Sequence, residues 1–375
     1  MAVQGTLHQA DVSTGSHVPP WPQEIRFCRA PDGARLAFAM AGSGYPMVTT
    51  CGFMGNLEYD PGHPVFAPVL DAFKARWAYL RYDERGDGLS QGSDHDFSLR
   101  TRVKDLEAVV DAAGLDRFAL FGASFGGPLA IAYAARHPDR VSHLILASTY
   151  ARGPAFGVAA AREAEAFARL IRVGWAKGAR VRHTLSTGLI PGATAETVAW
   201  FDDHQPILTS GEAFAVSYLS RLQVDVSALL PRVIAPAVVV HTRDDMMASF
   251  SEACRMTAEM PHARLIAYGG GGHVFPEHWP HAHRSHDSIH AIADFISTPP
   301  AKLGPKAEPL ATLSAREVSI LDLASYGLSN EAMASRLCLS VRTIERHMSN
   351  IYAKLQLTGP TARTAAVGMH LRRRR

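Results

Sequence analysis

The sequence predicts an α/β domain with a parallel sheet and a helical lid insertion, followed by a small all-α domain of four helices. Three observations lead there. Short apolar strand-like runs alternate with helix-like segments over residues 24–148 and again from 236, the pattern of a parallel sheet with helices on both faces. The alternation stops over residues 150–230, which are Ala-rich and read as helices without strands. The Pro-, Lys- and Gly-rich stretch STPPAKLGPKAEP then precedes a run of short capped helices.

In chain order, residues 1–23 are polar and lack the basic-then-apolar order of a signal peptide, so a loose leader is expected. EIRFCR and ARLAFAMAG flank the turn signal APDG and predict a hairpin. MVTT, AYLRYD, FALFG and LILAST predict strands, with a helix over LRTRVKDLEAVVDAAG. After the lid, PAVVVHT and ARLIAYG predict two more strands, with helices near SFSEACRMTAEM and about 286–297. The α/β domain is thus expected over 24–297, a linker over 298–310 and the helical domain over 311–375.

Composition narrows the classes. With 47% hydrophobic and 19% charged residues, the chain is globular rather than disordered. It holds no apolar run of about eighteen residues, so no membrane span is expected. Four scattered cysteines without a CxxC pair suit a reducing cytoplasm. Net charge is +3 but uneven: from residue 303 onward there are 11 Lys+Arg against 5 Asp+Glu, leaving 27 against 30 elsewhere. A basic end on a mildly acidic body points to an anionic partner.

GASFG, residues 122–126, fits G-x-S-x-G between a predicted strand and a predicted helix. In that context Ser124 sits in a tight turn that only small neighbours tolerate, and the next backbone N–H faces a developing oxyanion. A nucleophilic serine needs a base, and the base an orienting carboxylate. Both follow in order: RDD after PAVVVHT offers Asp244 or Asp245, and GGGHVF after ARLIAYG offers His273. HVFPEHWPHAHRSHDSIH holds six histidines, of which His286 and His290 could share a helix face. No HExxH or cysteine partner accompanies them, so neither a metal site nor a cofactor is expected. Asp83 and Arg85 are read as turn braces.

On these residues the chain resembles the α/β-hydrolase superfamily over 24–297. DERGDGLS is similar to that family's D-x-R-G-x-G-x-S turn, and CGFMG stands where the family has its His-Gly oxyanion loop. The resemblance implies Ser124 as nucleophile, His273 as general base and Asp245 as orienting acid, with Asp244 the alternative. It implies backbone oxyanion donors at Phe53 and Phe125. Cys51 and Thr242 depart from the family's histidine and glycine; neither removes a donor or a triad member.

In the last segment, SARE is a capping box opening a first helix, and Gly327 ends it. Ser329 caps a short second helix and Ser340 a third. In the third, Val341, Ile344, Met348, Ile351 and Leu355 form one apolar stripe at spacings of 3 and 4. The other face carries Arg342, Thr343, Glu345, Arg346, Ser349 and Asn350, which is helix-turn-helix logic. The segment closely resembles the LuxR-type DNA-binding domain over about 55 residues, through its L-S-x-R-E opening, its G-L-S-N element and its S-V-x-T-…-H-x-x-N-I-x-x-K-L helix. The resemblance implies phosphate contacts from Thr343, His347 and Lys354, base edges facing Glu345 and Arg346, and a homodimer formed through TARTAAVGMHL. Glu345 stands where a lysine often sits, which exchanges a donor for an acceptor suited to cytosine N4. The expected whole is a cytoplasmic transcriptional regulator of double-stranded DNA whose hydrolase-like domain takes a small acyl compound (ester, lactone or amide).

Overall fold

A computed structural model describes residues 23–50, 55–62, 67–91, 96–153, 158–175, 179–189, 193–245, 247–269, 273, 285–298, 313–337, 339–355, 357–359 and 362–373. The chain forms two compact units that divide close to residue 300.

The first unit runs β1 (Ile25–Arg29), β2 (Arg35–Ala41), β3 (Pro46–Thr50), α1 (Ala67–Lys74), β4 (Ala78–Tyr82), α2 (Leu99–Ala112), β5 (Phe118–Ala123), α3 (Gly127–Arg136) and β6 (Val141–Ala147). Four helices follow, α4 (Val158–Gly174), α5 (Ala179–Leu189), α6 (Ala195–Leu208) and α7 (Gly211–Leu222). The sheet resumes with β7 (Ala237–Thr242), α8 (Phe250–Glu259), β8 (Ala263–Tyr268) and α9 (Ser285–Ser297).

The eight strands form one sheet in the order β1-β2-β4-β3-β5-β6-β7-β8. β3, β4, β5, β6 and β7 pair in parallel, while β2 runs antiparallel to both β1 and β4. The sheet is therefore mixed rather than wholly parallel: the APDG turn joins β1 to β2 as a hairpin, β2 joins the hairpin to β4, and β1 forms that edge. β5, β6 and β7 are buried along their whole length, as expected for central strands covered by helices on both faces. Near-continuous apolar sequence in these strands is the consequence.

The four inserted helices carry no strand among their described residues and build a core of their own from Ala168, Ile171, Trp175, Phe201 and Phe214. A buried polar joint ties α5 to α6: Asp202 accepts from Ser186 Oγ and meets His183 Nδ1 at 2.8 Å, while Arg182 donates to the carbonyls of Asp202 and Trp175.

The second unit contains α10 (Ala315–Ser325), α11 (Asn330–Leu337), α12 (Val341–Lys354) and α13 (Ala362–Arg373). The SARE capping box forms, with Ser314 and Glu317 exchanging backbone-to-side-chain bonds. Gly327 adopts φ +79°, which ends α10 in the left-handed region that glycine tolerates best. The stripe on α12 packs inward: Ile344, Met348, Ile351 and Leu355 are buried with Ile320, Leu321 and Met333.

Candidate active site and candidate DNA-reading face

Ser124 sits where β5 hands over to α3, in a single 3-10 turn over Ser124–Gly126. Its backbone is in the left-handed region at φ +49°, a conformation that costs a non-glycine residue about 1–3 kcal/mol. Neighbouring residues hold it there. Thr149 Oγ1 donates to the Ser124 carbonyl, and Thr50 Oγ1 donates to the Gly126 carbonyl at 3.0 Å. The flanking glycines are required by contact. A Cβ on Gly122 would lie 2.6 Å from Ala130 Cβ, and one on Gly127 would lie 1.9 Å from Thr149 Oγ1. Gly127→Ala should therefore destabilise the first unit by about 1–3 kcal/mol. It should also slow acylation of Ser124, read by denaturant unfolding beside serine-probe labelling; an unaltered labelling rate would show the turn to be pliable.

His273 brings the two ends of the sequence pattern together. Its Nε2 lies 2.7 Å from Ser124 Oγ, and its Nδ1 lies 3.1 Å from both carboxylate oxygens of Asp245. An ionised carboxylate only accepts, so the proton between them sits on Nδ1, and Nε2 is left to accept from the serine hydroxyl. Asp245 is buried at the end of β7, whereas Asp244 is exposed. Of the two aspartates, Asp245 is the one within hydrogen-bond distance of the imidazole. Burial pushes the Asp245 carboxyl upward, but the His273 hydrogen bond and charge and the N–H groups of Ala248 and Met247 outweigh it, leaving the group below its ordinary range.

Two residues that sequence reading missed support this relay. His241 on β7 is fully buried, and burial holds its pKa down, so it is neutral. Its Nε2–H donates to the Ala248 carbonyl at 2.9 Å. It thereby fixes the turn whose N–H groups hold Asp245. Thr149 is the other, bracing the serine from 25 residues away. Of the expected oxyanion donors, Phe125 follows Ser124 in the 3-10 turn, and Phe53 lies outside the described residues with Cys51. The Asp83 and Arg85 side chains are structural: Asp83 accepts from the N–H groups of Leu57 and Leu89, and Arg85 forks onto Asp105 at 2.6 Å. Residues 274–284 of the histidine-rich stretch lie outside the described residues, as does the His286 side chain; among the described residues no cluster could hold a metal ion.

In the second unit, Arg342, Glu345, Arg346 and Ser349 are exposed on α12, with Thr343 and His347 partly covered beside them. Ser340 caps this helix through the Thr343 N–H. Lys354 differs from the rest: its Nζ donates to Glu317 Oε2 at 2.6 Å, joining it to the capping box of α10. Two acidic side chains of this unit are engaged, Asp322 with His370 and Glu317 with Lys354.

Among the described residues no helix is long and apolar enough to cross a membrane. Residues 45–277 match the family described as the alpha/beta hydrolase fold, and residues 311–367 match the bacterial regulatory proteins of the luxR family. The protein named "Putative carbamate hydrolase RutD" of Caulobacter segnis is 26% identical over 228 residues, which span 56% of this chain and 79% of that one. Its namesake from Azorhizobium caulinodans is 23% identical over 64% of this chain and 89% of that one. Among solved structures, the esterase EaEST of Exiguobacterium antarcticum superposes with a TM-score of 0.62 at 20% identity, covering 73% of this chain and all of that one. The enol-lactonase of Burkholderia xenovorans superposes with a TM-score of 0.57 at 20% identity, over 73% of this chain. At such identities the superpositions establish the fold alone.

Proposed function

Because this chain belongs to the α/β hydrolase fold family and ends in a luxR-family DNA-binding domain, we propose that it is a transcriptional regulator whose first domain binds and cleaves a small acyl compound. The observation that carries this reading is the Ser124–His273–Asp245 relay, held at 2.7 and 3.1 Å around a left-handed serine. In the proposed reaction His273 Nε2 takes the Ser124 proton as Oγ attacks the acyl carbon. The N–H groups of Phe125 and Phe53 stabilise the oxyanion, and the imidazolium returns its proton to the leaving group. Water then repeats the sequence on the acyl-serine. Asp245 stays ionised and stabilises the imidazolium throughout. The bond class is an ester, lactone or amide. The RutD name adds a carbamate as one such acyl group to try.

Signal output runs through α12. A homodimer would present two copies of this helix to a two-fold symmetric site, with Glu345 and Arg346 toward bases, Thr343 and His347 toward phosphates, Arg342 and Ser349 exposed beside them, and Lys354 reaching a phosphate by leaving Glu317 Oε2. Arg346→Ala should weaken specific operator binding by about 1–3 kcal/mol and relax one base position, measured by titration at several salt concentrations. A uniform loss across sequences, with a salt slope lower by about one, would instead assign Arg346 to a phosphate.

A second reading, a serine hydrolase whose DNA-binding module is accessory, is favoured by the completeness of the relay. Labelling of the intact protein by a fluorophosphonate tests the nucleophile. Operator affinity measured with and without a turned-over ester separates the readings. An affinity that ignores the ester supports the accessory reading, because coupling requires a difference in binding between two states.

A further inference from the structure

Tyr218 stands in the middle of the covered face of α7. At about 100° per residue its direction falls between those of Phe214 and Leu222. On either side of it, Phe214, Ala215, Ser217, Arg221 and Leu222 are all buried. Tyr218 itself keeps part of its surface open. An opening in the centre of a helix's buried stripe faces inward, beneath the helix, because the solvent side of α7 is the opposite one, where Glu212 is exposed.

The rings around Tyr218 locate that recess. Tyr218 meets the Phe125 ring edge-on at 6.2 Å, stacks on Phe214 at 5.9 Å and lies 5.5 Å from Phe167 of α4. Phe125 follows the nucleophile. It packs in one cluster with Tyr150 and Ala248, which stand beyond the carboxyl ends of β6 and β7. The recess therefore borders the sheet edge at which Ser124, also partly open, presents its hydroxyl to His273. Ala160 and Ala164 of α4 join the same cluster and add little bulk.

Tyr218 also brings a polar group to this apolar wall. The neighbouring Tyr150 hydroxyl is used, donating to the Arg221 carbonyl. The Tyr218 hydroxyl has no hydrogen-bond partner among the described residues. Burial raises the phenol above its ordinary value, so it is a protonated donor at neutral pH. A desolvated hydroxyl without a partner is unfavourable, and a bound acceptor removes that cost. An apolar recess with a single well-placed polar group is the usual composition of a small-molecule site. Rings set edge-on and offset give an aromatic guest the contacts they give one another, which a saturated ring of the same size does not match.

We infer that Tyr218 is a specificity residue: with Phe125 and Phe167 it holds an aromatic ring of the acyl group that Ser124 attacks, and its hydroxyl bonds a polar substituent on that ring. The inference rests on the proposed function and narrows its substrate class to ring-substituted aromatic acyl compounds.

The test uses methyl phenylacetate, methyl cyclohexylacetate and the three methyl hydroxyphenylacetates, each rate divided by that ester's rate of alkaline hydrolysis. Full-length wild-type protein should favour the phenyl over the cyclohexyl ester in kcat/KM by about threefold or more. At least one hydroxy isomer should exceed the phenyl ester by about threefold to tenfold, the worth of a neutral hydrogen bond. In Tyr218→Phe, which keeps the ring, that hydroxyl advantage should fall to about one. The Tm of Tyr218→Phe should equal or exceed that of wild type, because no bond is lost. A phenyl-to-cyclohexyl ratio of one overturns the aromatic class. A hydroxyl advantage absent from wild type, or surviving in Tyr218→Phe, overturns the role of Tyr218. So does a fall in Tm, which would make the hydroxyl a brace of the helices. If no ester is turned over, the hydrolase reading fails, and thermal unfolding of Ser124→Ala protein with the methyl hydroxyphenylacetates still decides the subsite. A saturable rise in Tm with one isomer, lost in Ser124→Ala/Tyr218→Phe, supports it; no rise, or an equal rise in both proteins, overturns it.

Discussion

Ser124→Gly is expected to be about 1 kcal/mol more stable than Ser124→Ala, although both lose the same hydroxyl. The reason is the backbone. Ser124 has φ +49°, where any Cβ is strained and glycine is not. Glycine recovers that strain, less the entropy it gives up on folding. Comparison with alanine rather than with wild type removes the His273 hydrogen bond from the difference. Both variants should lose fluorophosphonate labelling, and ester turnover should fall by at least about 10⁴-fold. Denaturant unfolding and burst-phase assays check the two halves separately. Equal stability of the two variants would refute strain at the nucleophile. Turnover surviving in both would refute Ser124 as the nucleophile.

Asp245→Asn should leave the fold in place and reduce kcat/KM by about 10³- to 10⁴-fold. Asp245 Oδ1 accepts from the N–H groups of Met247 and Ala248 at 2.8 and 3.0 Å, and an asparagine oxygen can do the same. Its amide nitrogen then faces His273 Nδ1. A donor there forces the proton onto Nε2, and the base that serves Ser124 is lost. Asp244→Asn, at an exposed position, should change activity by less than about twofold, since surface substitutions away from structural features have small effects. If Asp244→Asn were the damaging change, the relay geometry would be wrong.

The same variant carries a pH signature. The folded Asp245 carboxyl lies below its ordinary value of 3.8. A depressed acid contributes stability that is present above the unfolded value and is lost as pH falls through the folded one. The stability advantage of wild type over Asp245→Asn should therefore hold at neutral pH and shrink as pH drops below about 4. Chemical denaturation of both proteins between neutral and acid pH measures it. An advantage that grows on acidification would mean that the carboxyl is raised, not lowered.

Much of the α/β unit was legible because its signals are local. The runs AVVVHT and FALFGA reveal buried strands by composition alone. The order of serine, acid and histidine places each after a strand whose carboxyl end faces the same edge. The stripe Ile344, Met348, Ile351 and Leu355 identifies the covered face of α12 because the helix period converts spacing directly into direction. What composition suggested less well was the sheet's edge: β2 pairs with β4 in the antiparallel sense, a choice made by neighbours rather than by the strand itself.

Short stretches of sequence specify which residue types stand at the turns, where the apolar faces lie, and that Ser124, an aspartate pair and His273 follow one another after successive strands. Those are properties of short stretches, set by backbone geometry and hydrophobic period. Tertiary structure decided the rest: that Asp245 rather than Asp244 meets His273, that Thr50, Thr149 and His241 brace the site, and that Arg102 and Arg221 share one buried glutamate, Glu84. These depend on contacts between residues far apart in the chain, such as Arg221 with Glu84. No spacing rule specifies such pairs, because the packing of the sheet and its covering helices brings them together and excludes the water that would otherwise screen their charges.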